Sequence, residues 1–181
     1  MAGNTGYGSP SRSNRWRIAA WAGAILLLLL PLVATRLTDQ VAWDPADFVI
    51  FGALLVMAGG AFELAAKQSG DAGYLAGAGV AVTAAFVLVW MNLAVGLIAD
   101  EGHSANRMVA GIIAVGIIAA AIARLRPKGM ALAMLATATA QALVGLLAVA
   151  AGFGGSALPT AFFVLLWLVS AWLFARAGRR T

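Results

Sequence analysis

The chain has no cysteine and a single histidine, His103. The first absence removes disulfides, thiolate metal sites, iron–sulfur clusters and cysteine nucleophiles together. The second excludes bis-histidine haem ligation within one chain. Charge is scarce as well: 10% of the 181 residues are Asp, Glu, Lys or Arg, against about 25% in a typical soluble domain. The P-loop, G-x-S-x-G, H-E-x-x-H and G-x-G-x-x-G motifs are all missing, and no base, nucleophile and orienting group are spaced for catalysis. These gaps weigh against an enzyme and imply no cofactor.

What is present is apolar. Hydrophobic residues make up 62% of the chain and the mean hydropathy is +0.92. A water-soluble chain this short could not hide so much apolar surface. Uncharged stretches of membrane-crossing length place it among all-α polytopic membrane proteins. The net charge of +5 does not point to nucleic acid, because the basic residues sit in short clusters beside apolar runs. The lipid bilayer is the expected partner, with a second copy or a larger membrane complex beyond it.

Residues 1–14 lack apolar periodicity and read as a flexible cytoplasmic tail; residues 15–181 read as one six-helix transmembrane domain. The expected spans are about 18–35, 46–66, 73–99, 107–124, 130–152 and 159–176. The first follows Arg12, Arg15 and Arg17, is read as uncleaved, and should bend near Pro31. The second opens with Asp44 as N-cap, Pro45 at the first helical position, Asp47 in the first turn, and Trp43 and Phe48 placed for a hydrophobic staple. The third comes from a 28-residue uncharged run between Asp71 and Asp100, longer than a bilayer needs. Residues 129–175 carry no charge over 47 positions, enough for two helices joined at Gly152–Pro159.

Sorting the cations by side tests this count. Six spans with both termini on one side put Arg12, Arg15, Arg17, Lys67, Arg124, Arg126, Lys128, Arg176, Arg179 and Arg180 together, and leave Arg36 and Arg107 opposite. An excess of Lys and Arg marks the cytoplasmic side, so both termini are expected in the cytoplasm.

Small residues at four-residue spacing form stripes: Gly73, Gly77, Ala81 and Ala85 on the third span, Gly116 and Ala120 on the fourth, Ala133, Thr137, Gln141 and Gly145 on the fifth. Such stripes let helix backbones approach closely. Three polar side chains stand out within the apolar runs. Asn92 and Gln141 should face the bundle, either bonded to each other or lining a polar constriction. Glu63 is a proton or cation site on one reading, and an interfacial ion pair with Lys67 on the other. Asp100, Glu101 and His103 are weak metal candidates without supporting ligand spacing; the same loop is explained by Ser104 or Asn106 capping the fourth span. Trp90 and Trp167 lie deep and read as packing, whereas Trp16, Trp21, Trp43 and Trp172 fit an interfacial belt.

The segments Asn92-Leu-Ala-Val-Gly-Leu-Ile98, Asn106-Arg-Met108 and Arg124-Leu-Arg-Pro-Lys-Gly-Met130 resemble uncharacterised small multispanning inner-membrane proteins of proteobacteria, over most of the chain after the tail. The resemblance implies the bacterial inner membrane and adds no site residues. The expected role is a non-enzymatic helical bundle or a partner subunit of a membrane complex. The alternative is a small transporter or channel using Glu63, Asn92 and Gln141.

Overall fold

The computed structural model describes residues 21–29, 31, 33, 37, 43–99 and 103–179. The expectations for residues 1–14, Trp16, Asp100, Glu101 and Arg180 lie outside them, as do the neighbours of Pro31 that would show a bend. Among the described residues there is helix and no strand: α1 (residues 21–29), α2 (Pro45–Gln68), α3 (Ala72–Ala94), α4 (Met108–Ile122), α5 (Pro127–Ala150) and α6 (Ala157–Ala177). Five of these segments are long and apolar enough to cross a membrane, α4 counted with the 3-10 turn before it. Only 17% to 39% of each crossing window is buried, and the remainder shows leucines such as Leu132, Leu146, Leu158 and Leu165 at the surface. Surface of that kind needs hydrocarbon around it. This is a multi-pass membrane protein.

The chain divides into two compact units at Gly59–Gly60, within α2. In the first, α1 and the start of α2 run antiparallel. A Cβ on Gly59 would lie 3.1 Å from the Trp21 ring, and one on Gly52 3.9 Å from Leu28. The start of α2 carries the expected cap. Asp44 Oδ1 accepts from the Asp47 amide at 3.0 Å, and Asp47 Oδ2 accepts from the Asp44 amide at 2.9 Å. This is a reciprocal capping box with Asp in place of Glu. Trp43 meets Phe48 edge-on at 5.2 Å, completing the staple.

The second unit contains the end of α2 and α3 to α6. Helix α6 lies between α3 and α5, α4 packs on α5, and α3 and α4 touch only lightly. Gly145 opposes Thr160 and Gly178 opposes Lys128, so α5 and α6 are antiparallel; Gly77 against Phe174 and Gly73 against Ala177 give the same sense for α3 and α6.

Two boundaries differ from the sequence reading by more than two residues. Helix α3 stops at Ala94 and not at residue 99, because Gly96 adopts φ +73. A left-handed residue just past the helix is the usual glycine stop. The amides of Ile98 and Ala99 then donate to Asn106 Oδ1 at 3.1 and 3.3 Å, and Asn106 Nδ2 donates to Ala99 O at 3.1 Å. Helix α5 starts at Pro127, earlier than residue 130, because proline fits the first helical position without an amide to satisfy. Between α4 and α5, Arg124 (φ 49) and Leu125 (φ 56) are both left-handed. Such a pair costs roughly 1–2 kcal/mol per residue for non-glycine side chains. Tyr74, fully buried, holds the turn by donating its hydroxyl to Leu125 O at 2.7 Å.

Candidate functional site

The small-residue stripes face the bundle. Ala133, Thr137, Gln141 and Gly145 are all buried on α5. Gly145 meets the Thr160 side chain of α6 so closely that no Cβ would fit, and a Cβ on Gly116 of α4 would lie 3.1 Å from Thr137 Oγ1. On α3 a Cβ at Gly77 would lie 3.2 Å from the Phe174 ring, and the carbonyl of Gly77 accepts a hydrogen bond from Ser170 Oγ at 2.8 Å. Gly145 and Gly77 form the α3–α6–α5 seam. Farther along the same α3 stripe, Ala81 and Ala85 meet no such filling. With Ala61 and Ala65 of α2, Gly116 and Ala120 of α4, Met130, Met134 and Thr137 of α5, and Trp167 of α6, they line a cavity of about 180 Å³. A second hollow, a lipid-facing groove of about 490 Å³ along α5 and α6, has Thr160 as its one polar lining side chain.

The polar side chains singled out by sequence do not converge. Glu63 is half-buried on α2, one turn before the exposed Lys67. Gln141 is buried on α5, and its Oε1 has no hydrogen-bond partner; Asn92 Oδ1 on α3 has none either. The seam contacts place Gln141 near the level of Val164, and Asn92 roughly 10 Å farther along the bundle at 1.5 Å per residue. Helix α6 lies between α3 and α5, so the expected Asn92–Gln141 bond is not made. None of the three lines the 180 Å³ cavity.

The loop before α4 also works differently from expectation. The cap comes from His103, whose Nδ1 accepts from the Ala105 amide at 3.1 Å while its ring meets Phe153 edge-on at 5.3 Å. Asn106 instead closes the 98–99 backbone, and Ser104 is exposed. Among the described residues no group of His, Asp and Glu is arranged to hold a metal ion.

Two residues that matter here drew little notice in the sequence. Tyr74 sits three residues after the α3 cap Asp71, a polar tip in the first turn of an apolar helix, and that position was its signal. Trp167 read as packing, and it is 3% exposed, yet its Nε1 has no partner. An unpaired buried donor of this kind costs about 1–3 kcal/mol. Thus the described residues line an apolar cavity with no acid or base on its wall. Comparison with protein-family models, curated proteins and solved structures gives no match.

Proposed function

We propose that the protein is a non-enzymatic, multi-pass subunit of the bacterial inner membrane, with six spans and both termini in the cytoplasm. The observation that carries the role is the wall of the half-open cavity of about 180 Å³. It is apolar, and Glu63, Asn92 and Gln141 stay off it. A conduit for ions or polar solutes needs polar groups along its path to replace hydration. A packed bundle that presents its surface to lipid, to a second copy or to a larger complex does not.

Charge supports the orientation. In the second unit, Arg124, Arg126, Lys128, Arg176 and Arg179 gather at the end where Lys128 meets Gly178 and Tyr74 reaches Leu125, and Lys67 leads into that end; Arg107 stands at the other. The cation-rich end is the cytoplasmic one. The chain's lack of cysteine makes the test direct. Single substitutions Ser104→Cys and Gly154→Cys should react with a membrane-impermeant maleimide added to intact cells, and Gln68→Cys only after lysis. Labelling of Gln68→Cys in intact cells would overturn the orientation. Ion flux through proteoliposomes that is lost in Glu63→Gln while folding is unchanged would overturn the non-transport reading.

A further inference from the structure

After Glu101 the chain has seven Lys and Arg and no Asp or Glu. Helices α4 to α6 therefore carry no side chain that balances their own charge. Part of that charge gathers on the outer side of the α5–α6 pair. Lys128, Ala142 and Val149 stand at multiples of seven residues along α5, as do Leu165, Trp172 and Arg179 along α6, so each set shares one helix face. All six are exposed. Ala142, Val149 and Leu165 line the lipid-facing groove, which puts Lys128 and Arg179 on the groove's side of the pair. The two cations are also level with each other, because Lys128 Cγ packs on Gly178, next to Arg179.

A third cation is held at the same corner. The Arg176 guanidinium lies 3.7 Å from the centre of the exposed Trp172 ring. Stacking uses the face of a guanidinium and leaves the N–H groups on its edge available. It also keeps the charge beside an indole that stands roughly 7.5 Å inside the end of α6, at the depth where headgroups meet acyl chains. Lys128 adds to the field from the first turn of α5, where the helix dipole is itself positive. The acids described at this end lie elsewhere. Asp71 is on the α3 side of α6 and accepts from the Tyr74 amide at 2.8 Å, and Glu63 is on α2.

We propose that this corner binds an anionic phospholipid, its phosphate among Lys128, Arg176 and Arg179 and an acyl chain running down into the α5–α6 groove. Half the hydrocarbon core is about 15 Å deep. Leu168 lies about 6 Å farther in than Trp172 and Leu165 about 10 Å, and both line the groove, so a chain of one leaflet reaches it. That continuity selects lipid over free phosphate, which has nothing to lay against Trp172 and the groove. Three unbalanced cations likewise select a headgroup of net negative charge, since a choline would bring a fourth.

Phosphatidylglycerol and phosphatidylcholine with the same acyl chains test this, each added to the full chain in neutral detergent micelles. The readouts are thermal unfolding against lipid concentration and the lipid retained in native mass spectrometry. Phosphatidylglycerol should stabilise saturably, whereas phosphatidylcholine and inorganic phosphate should not. Lys128→Gln and Arg176→Gln should each weaken phosphatidylglycerol about fivefold, the worth of one cation at an anionic surface. Arg124→Gln removes the same charge from the turn that Tyr74 holds, on the far side of the bundle, and should change the affinity by less than about twofold. All three side chains are exposed, which keeps the substitutions out of the core. A loss in Arg124→Gln equal to that in Arg176→Gln would make the effect one of net charge and overturn the proposal. Equal stabilisation by phosphatidylcholine, or saturation by inorganic phosphate, would overturn it too. Micelles have no sides, so the outcome does not depend on which side of the membrane the cations face.

Discussion

The α3–α6–α5 seam and the α3–α4 side of the bundle are made from the same residue types, yet one is closed and the other holds a cavity. At the seam each small residue faces a larger partner: Gly77 takes Phe174 and Leu173, and Gly145 takes Thr160. On the open side the cavity wall is built largely of small residues, Ala81 and Ala85 of α3 with Gly116 and Ala120 of α4. In a bilayer nothing squeezes such surfaces together, because lipid tails are as apolar as the side chains, so contact depends on complementary shape. A glycine stripe closes only where the neighbouring helix supplies something to fill it.

Breaking the seam should have the largest effect. Gly145→Ala places a methyl against Thr160, whose β-branched side chain has little freedom to turn away. Overpacking costs about 1–3 kcal/mol or more, which outweighs the roughly 1 kcal/mol that alanine gains over glycine in a helix. A net loss of about 2 kcal/mol is expected in reversible unfolding between mild detergent and dodecyl sulfate. No loss would mean that the seam is looser than its geometry.

A matched set sharpens the contrast along single helices. Gly77→Ala should cost about 1 kcal/mol, because the fully buried Phe174 must give way. Ala85→Leu, eight residues along the same stripe, should gain about 1 kcal/mol by filling the cavity. Gly111→Ala, on the exposed face of α4 with nothing within 4 Å, isolates propensity alone and should gain just under about 1 kcal/mol. If Gly77→Ala tracked Gly111→Ala, the distinction between closed and open sides would fail.

Local features were legible in the sequence, and pairings were not. The α2 start could be read whole, since Asp44, Pro45, Asp47 and the Trp43–Phe48 pair act within six residues. The inward stripe on α5 was also readable, because its period belongs to one helix. The stop at Gly96 had a local signal too, which the long uncharged run masked, since charge marks where lipid ends and not where a helix does. The cavity has no such trace. Ala81 and Gly77 look alike in the chain and differ only in what α4 and α6 set against them. A bond between Asn92 and Gln141 depends on which helices are neighbours, and α6 lies between α3 and α5. Arg124 and Leu125 in left-handed backbone defy residue preference, and only Tyr74, 51 positions from Leu125, explains how the turn is held.

The smallest expected effect decides what holds the seam shut. Ser170 Oγ donates to the Gly77 carbonyl at 2.8 Å across α6 and α3, and the serine is fully buried. Shape and this bond therefore act at the same place. In Ser170→Ala the carbonyl keeps its own helical partner four residues on, so no acceptor is stranded. In the separated helices the hydroxyl can bond back to its own backbone, which lowers what the interhelical bond contributes. The loss should then be about 0.6 kcal/mol, the mean for such bonds in membrane bundles, well below that of Gly145→Ala. A loss above roughly 1.7 kcal/mol, the upper end measured for bonds of this class, would reverse the interpretation. The polar bond would then be holding Gly77 against α6. The open side would be open because Ala81 and Ala85 lack such a donor opposite, not because they lack a side chain to fill the space.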